Sequence, residues 1–600
     1  MAPQPPADES QERRESDMKL SEGQRVTILV VAVFALVGLI FFWFVSSLFQ
    51  EKAPPLSRNA VLTIALNGNI PERVPRDPLA EALGEKKMSV QDLFQVLRKA
   101  EKDRHVRALI LRPQFPIVGL GKLQEIRQAI LRFKASGKPV FAYLENAGKW
   151  DYYLASAADT VVGVGSGFML LNGLLSQAIF LKGTLQSLGI EADFVAYGKY
   201  KNAPDMFTRD RMSPAQREVT NSLLDDIYPH FLQTIAHSRH LPLPRVRQLV
   251  DTGFFDFQKA RTVGLIDTVM DYHQLTEYLK MRLPGKPRVV SFWRYRDIPM
   301  SKLGFKARHK LAVVFGVGSI VVGSADAFGQ DGLITSEGMA RAVRQAADNK
   351  QIKAIVLRVD SPGGSGTASD IIWQAVREAR KKKPVVVSVG DVAASGGYYI
   401  SMGADSIVAP AGSIVGSIGV FAGKFALGGL YKKIKMTKEE LKRGRNADLF
   451  SDLKKFNPEQ RRLMKQFIMD FYRQFVQKAA ASRGMSYQQV DRIAQGRVWT
   501  GRQGLHIGLV DRLGDFYQAV QLAKRMSGIP EEETVQLVFY PRQKTLLEQL
   551  IPLATQGEMS HTASQLLNGF PESFRTVISA IPHLKNGEPL FLMPFFVVFH

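Results

Sequence analysis

The sequence predicts an α/β protein built from two tandem βαβ repeats, each with a parallel sheet, behind one N-terminal transmembrane helix. Three observations carry this expectation. Short apolar, β-branched runs alternate with stretches of helical periodicity, the pattern of strands joined by crossover helices. The chain also aligns with itself at a nearly constant offset. Finally, Val26–Phe49 is a run of 24 residues without a charge.

Taken in order, residues 1–25 are rich in Pro, Glu, Arg and Ser and read as a disordered tail. The apolar run 26–49 is long enough to cross a hydrocarbon core of about 30 Å at a rise of about 1.5 Å per residue. A cleaved signal peptide competes, with Val45 and Ser47 as a weak cleavage site. Its apolar core, however, would run for only about 7–15 residues. Arg13, Arg14, Lys19 and Arg25 precede the run, and only Lys52 and Arg58 follow it closely. That asymmetry places the N-terminus in the cytoplasm and the bulk of the chain outside.

The first repeat is expected over residues 50–305, the second over 306–545, and a C-terminal tail over 546–600. VRALILRP at Val106–Pro113 lies on IKAIVLRV at Ile352–Val359 with an offset of 246, which also brings Ala158-Asp159 onto Ala404-Asp405. Farther on the offset is 244, where Gly264-Leu265-Ile266-Asp267 meets Gly508-Leu509-Val510-Asp511. A run of such matches in register is a duplication. LTIAL, ALILR and PVFAY in the first copy correspond to LAVVF, AIVLR and PVVVS in the second, as strands. Leu93–Ala100, Ile126–Phe133 and Ile371–Ala379 carry helical periodicity between them. Pro284–Pro287 and the charged run to His309 read as the link between copies, and Thr534–Tyr540 as a last strand. The apolar end PLFLMPFFVVFH is too short to span a membrane and is expected to pack on a neighbour.

Composition excludes several classes of function. The formal charge of +23 is spread along the chain, with no basic helix of interleaved aromatics, so no nucleic-acid partner is expected. With no cysteine there is neither a disulfide nor thiolate chemistry, and no zinc-ligand spacing appears, so neither metal nor cofactor is expected. The basic surplus suits an anionic membrane surface or plain charge balance.

Two motifs carry chemistry. Val385-Val386-Val387 reads as a buried strand that Gly390-Asp391 turns, and Ala393-Ala394-Ser395-Gly396-Gly397 opens onto a helix at Tyr398-Tyr399-Ile400. A serine between small residues at a helix N-terminus has an exposed hydroxyl and a field that favours developing negative charge. The same residues also make an ordinary N-cap. Upstream, Asp360-Ser361-Pro362-Gly363-Gly364 follows the apolar strand Ile352–Val359. Two glycines there can turn N–H groups into a cleft, as an oxyanion hole requires, although alone they read as a Pro-Gly turn.

Together these residues resemble the ClpP/crotonase superfamily and, within it, the signal peptide peptidase A (protease IV) family in its long, two-repeat form. The resemblance covers roughly Arg58 to Met526 and the membrane segment. It implies a tandem ClpP-like fold and a serine endopeptidase that degrades cleaved signal peptides or other hydrophobic peptides at the membrane. It further implies a bacterial-type inner-membrane location, a homo-oligomer (a tetramer), and Ser395 as nucleophile.

The repeat tests this reading internally. Positions 246 residues before Ser395, Gly363 and Gly364 are Lys149, Ile117 and Val118, so the first copy lacks both the serine and the glycines. The first copy instead keeps Gly198-Lys199-Tyr200-Lys201, whose lysine faces Ala447 of the second. Of the ten histidines none lies beside the serine turn, and only His506 stays as a weak candidate base. A lysine desolvated by its pocket can serve as base, though a lysine is more often a solvated charge. By resemblance Lys201 matches the family's general base. The expected reaction is acyl transfer by a Ser395–Lys201 dyad, with oxyanion donors from Gly396 and from Gly363 or Gly364. The competing readings are a crotonase-type acyl-CoA enzyme, disfavoured by the outward orientation, and a non-catalytic membrane scaffold. Whether serine and lysine meet within one chain or between two is left open by the sequence.

Overall fold

A computed structural model of the chain describes residues 59–74, 86–303, 307–324, 332–541 and 588–593, together with residues 33 and 36. The tail 1–25, the span Val26–Phe49 apart from those two positions, and residues 542–587 lie outside the described residues. Among the described residues no helix is long and apolar enough to cross a membrane.

Each repeat is a twisted, mostly parallel sheet. In the first, strands run in the order Gly253–Asp256, Thr160–Leu171, Val140–Ala147, Val106–Ile117, Ala60–Asn69, Arg288–Ser291. In the second the order is Val498–Thr500, Ile414–Gly416, Val385–Ala394, Ile352–Ser361, His309–Val317, Val535–Tyr540. The central strands pair in parallel, Ala60–Asn69 with Val106–Ile117 and His309–Val317 with Ile352–Ser361. Their continuous apolar runs are buried, because crossover helices cover both faces of a parallel sheet.

Every helix expected from periodicity is present: Val90–Lys102, Leu120–Ala135 and Gly366–Arg380. The duplication also survives in detail. Two 26-residue helices, Pro214–Arg239 and Pro458–Arg483, begin with proline after a capping Ser213 or Asn457. Tyr152 donates to the carbonyl of Leu265 as Tyr398 does to that of Leu509. The ion pairs Arg239–Asp267 and Arg483–Asp511 correspond in the same way.

Two expectations need correction. Gly390-Asp391 does not end its strand, which runs unbroken from Val385 to Ala394 and absorbs the irregular pair as a shift in register against Ile352–Ser361. The segment expected as a bare link contains the edge strand Arg288–Ser291, held because Val290 is buried beside Ala60–Thr63. It plays the part that Val535–Tyr540 plays in the second sheet.

A third, six-stranded sheet belongs to neither repeat alone. Its order is Leu333–Thr335, Ser319–Val321, Gly363–Ser365, Leu590–Leu592, Val420–Ala426, Glu191–Tyr197. Glu191–Tyr197 of the first repeat pairs antiparallel with Val420–Ala426 of the second along its whole length. The tail strand Leu590–Leu592 lies in the chain's own sheet, where the sequence reading had looked for a neighbour.

Buried ion pairs also join the repeats. Arg358, fully buried, donates to both carboxylate oxygens of Glu72 and of Glu125 from the first repeat. Lys122 Nζ lies 2.9 Å from Asp360 and 3.0 Å from Asp391. The Asp391 carboxylate also accepts the N–H groups of Gly119 and Lys122 at the start of helix Leu120–Ala135, where the helix dipole favours an anion. One guanidinium between two carboxylates leaves a negative excess, and burial pushes the Glu125 carboxyl up to about 7.

Candidate active site

Ser395 is the hinge between strand Val385–Ala394 and helix Gly396–Ser401, with φ 54° and ψ −112°. A non-glycine residue there stores strain of roughly 1–3 kcal/mol, which persists only where the surroundings over-determine it. They do. The Ser395 N–H donates to the carbonyl of Gly416 at 2.7 Å. A Cβ on Gly396 would sit 2.6 Å from Ser369 Oγ and 3.1 Å from Gly363 Cα; one on Gly397 would sit 2.4 Å from the carbonyl oxygen of Ser361. The two glycines therefore let the serine turn and the glycine turn touch backbone to backbone.

Gly363 and Gly364 adopt φ 107° and 154°, the left-handed side that glycine tolerates. A side chain on Gly364 would overlap the carbonyl of Ile320, at 2.0 Å. The Ser361 hydroxyl donates to the Gly318 carbonyl at 2.6 Å and accepts the Gly363 N–H at 3.2 Å. The Gly396 N–H is the first of its helix and has no intrahelical acceptor. The backbones of Gly363 and Gly396 thus meet next to Ser395.

Lys201 reaches this point from the first repeat. Strand Glu191–Tyr197 carries it alongside Val420–Ala426, and a turn at Gly198, with φ 112°, folds the next residues against the second repeat. The Tyr200 N–H donates to the Gln495 carbonyl at 2.7 Å, and a Cβ on Gly496 would lie 2.5 Å from Lys201 N. Lys201 Nζ stands 2.7 Å from Ser395 Oγ, 3.0 Å from Ser417 Oγ and 3.1 Å from the Ser417 carbonyl. All three side chains are buried. Desolvation, with no carboxylate partner among the described residues to offset it, holds the Lys201 amine well below the usual lysine range.

A neutral amine has two N–H donors and one lone pair. Here Ser417 can take both donors, which leaves the lone pair for the Ser395 hydroxyl. The structure thus brings together all five residues singled out from the sequence, Ser395, Lys201, Gly363, Gly364 and Gly396, within one chain. His506 ends helix Gly501–His506 as an exposed residue. Ser417 was missed. The available signal was the Gly416-Ser417-Ile418-Gly419 turn, whose position in the first copy is Leu171. Among the described residues no cluster of His, Cys, Asp and Glu could hold a metal ion.

The model of peptidase family S49 matches this chain twice, over residues 132–283 and 377–529. The chain is 33% identical to the chloroplastic serine protease SPPA of Arabidopsis thaliana over 510 residues, 84% of this chain and 74% of that protein. It is 31% identical to Protease 4 of Haemophilus influenzae over 534 residues, 84% of each chain. It is likewise 31% identical to Protease 4 of Salmonella typhi over 482 residues, 78% of this chain and 76% of that one.

Proposed function

The chain belongs to peptidase family S49 and is a serine protease, and from that premise we propose that it is a membrane-anchored endopeptidase working through a Ser395–Lys201 dyad. The observation that carries the proposal is the 2.7 Å contact between Lys201 Nζ and Ser395 Oγ, each supplied by the repeat that lacks the other. Neutral Lys201 takes the hydroxyl proton as Ser395 Oγ attacks a peptide carbonyl. The tetrahedral oxyanion accepts hydrogen bonds from the N–H groups of Gly396 and Gly363, the latter exchanging Ser361 Oγ for the oxyanion. Lys201 then gives its proton to the leaving amine. Water, deprotonated by the same lysine, releases the acyl group from Ser395.

The substrates are apolar peptides at the membrane, cleaved signal peptides among them, and they bind as a strand between Gly363–Ser365 and Val420–Ala426. Val26–Phe49 anchors the enzyme in a bacterial-type inner membrane with its N-terminus in the cytoplasm and the two repeats outside. The assembly is a homo-oligomer, a tetramer by resemblance, and each dyad is complete within one chain. A fluorophosphonate probe tests this reading: it should label the purified chain and fail on Ser395→Ala, and the same preparations should hydrolyse, or not, an apolar fluorogenic peptide. An unlabelled, inert parent chain would make the protein a scaffold. Undiminished turnover by Lys201→Ala would remove the dyad.

A further inference from the structure

The strand that ends at Ser395 changes partners just before the serine. Val386–Ser388 pair with Ser406–Val408, whereas Val392–Ala394 pair with Ile414–Gly416. Against Ile352–Ser361 the register runs Val359 to Val389 and then Ser361 to Ala393. An advance of two residues on one strand thus matches four on the other, a bulge centred on Asp391. Bulges re-aim the residues that follow them. This one brings Ser395 to the Gly416 carbonyl and beside Ser417, which holds the Lys201 amine.

A bulge leaves backbone donors without a ladder partner, and here a buried carboxylate takes them. Asp360 Oδ1 accepts the N–H groups of Asp391 at 3.2 Å and of Val392 at 3.0 Å, while Arg358 donates to the Val389 carbonyl at 3.0 Å. The carboxylates of Asp360 and Asp391 therefore meet at the bulge, largely screened from water, where like charges repel strongly. Lys122 bridges them from the first repeat, its Nζ reaching both. The start of its helix is seated without slack. A Cβ on Gly119 would lie 2.2 Å from Asp391 Cγ, and one on Gly121 would lie 2.4 Å from the Gly390 carbonyl oxygen.

The first copy has no equivalent bridge. Its counterparts of Asp360 and Asp391 are Gln114 and Glu145, and the half-exposed Glu145 pairs with Arg112 of its own repeat. The place in the second repeat equivalent to Lys122 is Ala368. The bridging cation crosses from the first repeat to the second, as Lys201 does.

Resting on the reading of Ser395 and Lys201 as the dyad, we infer that Lys122 is a positioning residue for the nucleophile, fixing the bulge that aims Ser395 at Lys201. Without the bridge two buried carboxylates face each other, the bulge relaxes, and Ser395 Oγ moves away from Lys201 Nζ. A misplacement of about 1 Å at reacting groups costs roughly 100-fold in rate. The proposed peptide groove lies on Gly363–Ser365 and Val420–Ala426, which the bridge does not touch, so the loss falls on kcat and spares KM.

The test is a cycle of three full-length variants, Lys122→Met, Asp360→Asn and the two together, with hydrolysis of an apolar fluorogenic peptide and amide hydrogen exchange measured on each. Lys122→Met should lower kcat roughly 10–100-fold with KM within about twofold of the parent. Adding Asp360→Asn removes one of the facing charges and keeps an oxygen for the bulge N–H groups. It should raise kcat at least about fivefold above Lys122→Met alone. Exchange in Val385–Tyr398 should quicken at least about tenfold in Lys122→Met, while Val140–Tyr152 of the first repeat keeps the parent's rate. A merely structural lysine would loosen both segments together and leave kcat of the folded chain unchanged. Either of those results, or a paired variant no better than Lys122→Met, would overturn the inference. Should Lys122→Met not fold, the paired variant decides. Balanced in charge but without the bridge, it should show kcat at least about threefold below Asp360→Asn at equal KM, and equality would overturn the inference. If no chain hydrolyses the peptide, the parent included, while exchange at the bulge quickens as expected, the dyad is what fails and the bridge stands.

Discussion

The strand-to-helix turn at Lys149 and its counterpart at Ser395 hold equivalent places in the two repeats, yet they hold their backbone amides in different ways. At the first turn the Asp151 carboxylate accepts the N–H of Phe115 at 2.7 Å and that of Gly148 at 2.8 Å. The residue before the helix, Gly148, has relaxed extended geometry, with φ −86° and ψ 177°. Lys149 spends its amine on the carbonyl of Gly173. At the second turn the position of Asp151 is Gly397, the cap is the strained Ser395, and the Gly363 N–H is held by the neutral Ser361 hydroxyl at 3.2 Å in place of a carboxylate. The first copy has satisfied its donors internally and become a scaffold. The second holds its glycine N–H with an exchangeable hydroxyl, keeps its strain, and takes the lysine from the first. On the proposed reading, what separates a structural copy from a catalytic one is whether a carboxylate or an exchangeable hydroxyl holds the amides at the turn.

The sharpest way to break this comparison is to exchange the fates of the two turns. Ser395→Ala and Lys201→Ala should each lower peptide turnover by roughly 10^5-fold or more, and the double variant should be little worse, because groups that act as a unit are non-additive. Lys201→Arg should be equally inactive, since a guanidinium keeps its proton. Lys149→Ala, at the place equivalent to Ser395, should leave turnover within about twofold of the parent. Steady-state hydrolysis of an apolar fluorogenic peptide by folded, purified chains reads all four. Lys149→Ala matching Lys201→Ala would refute the division of labour.

Next in size is the contrast between Arg358 and Arg112, which correspond in the two copies. Arg358→Met strands Glu72 and Glu125 in the interior without a countercharge and should cost about 3–5 kcal/mol at neutral pH. Arg112 pairs with Glu145 at a half-exposed position, and Arg112→Met should cost about 1 kcal/mol or less. Urea denaturation of both variants gives the comparison. Equal midpoints would mean that the buried cluster does not tie the repeats together.

Within the second turn, Gly363→Val should lower kcat by roughly 100–1,000-fold while the chain still folds, as expected for one lost oxyanion donor. Ser417→Ala should cost less, roughly 10–100-fold, by letting the lysine amine wander from the serine. The corresponding change in the first copy, Leu171→Ala, should act on stability alone. Turnover and denaturation measured on the same samples distinguish the two kinds of loss.

The sequence made legible whatever depended on pattern. The parallel strands, their helices and the duplication followed from apolar runs and matched positions. Ser395 and the glycines followed from residues whose only merit is smallness at a turn. Lys201 was singled out by resemblance, and the repeat supported it by placing the proposed nucleophile and the proposed base in different copies. The Arg358 cluster did not, since a lone arginine in IVLRV looks like a strand-edge charge until Glu72 and Glu125 arrive from hundreds of residues away. Ser417 was hidden for a similar reason: its hydroxyl matters only once a turn with φ 53° aims it at a lysine from the other copy. Nor does an apolar tail announce that it will add a strand at the glycine turn.

The smallest expected effect concerns protons. Desolvation lowers the amine pKa of both Lys201 and Lys149, but only Lys201 falls well below the usual range. A lysine whose folded pKa lies below its unfolded value of about 10.4 binds more protons when unfolded, so stability rises with pH between the two values and is lost as pH falls through the folded one. Replacing the lysine by methionine removes that slope. Lys201→Met should therefore gain on the parent at low pH, and the advantage should shrink as pH climbs toward about 10. Activity of the parent should rise over the lower part of the same window, as the Lys201 amine becomes free to accept a proton. Lys149→Met should show a shallower version of the stability trend, with no matching change in the activity profile. Denaturation midpoints of the three chains across pH, set beside the parent's kcat/KM profile, make the check. Superposable curves for Lys201→Met and the parent would mean that the lysine enters the fold already charged, and a charged lysine cannot be the base.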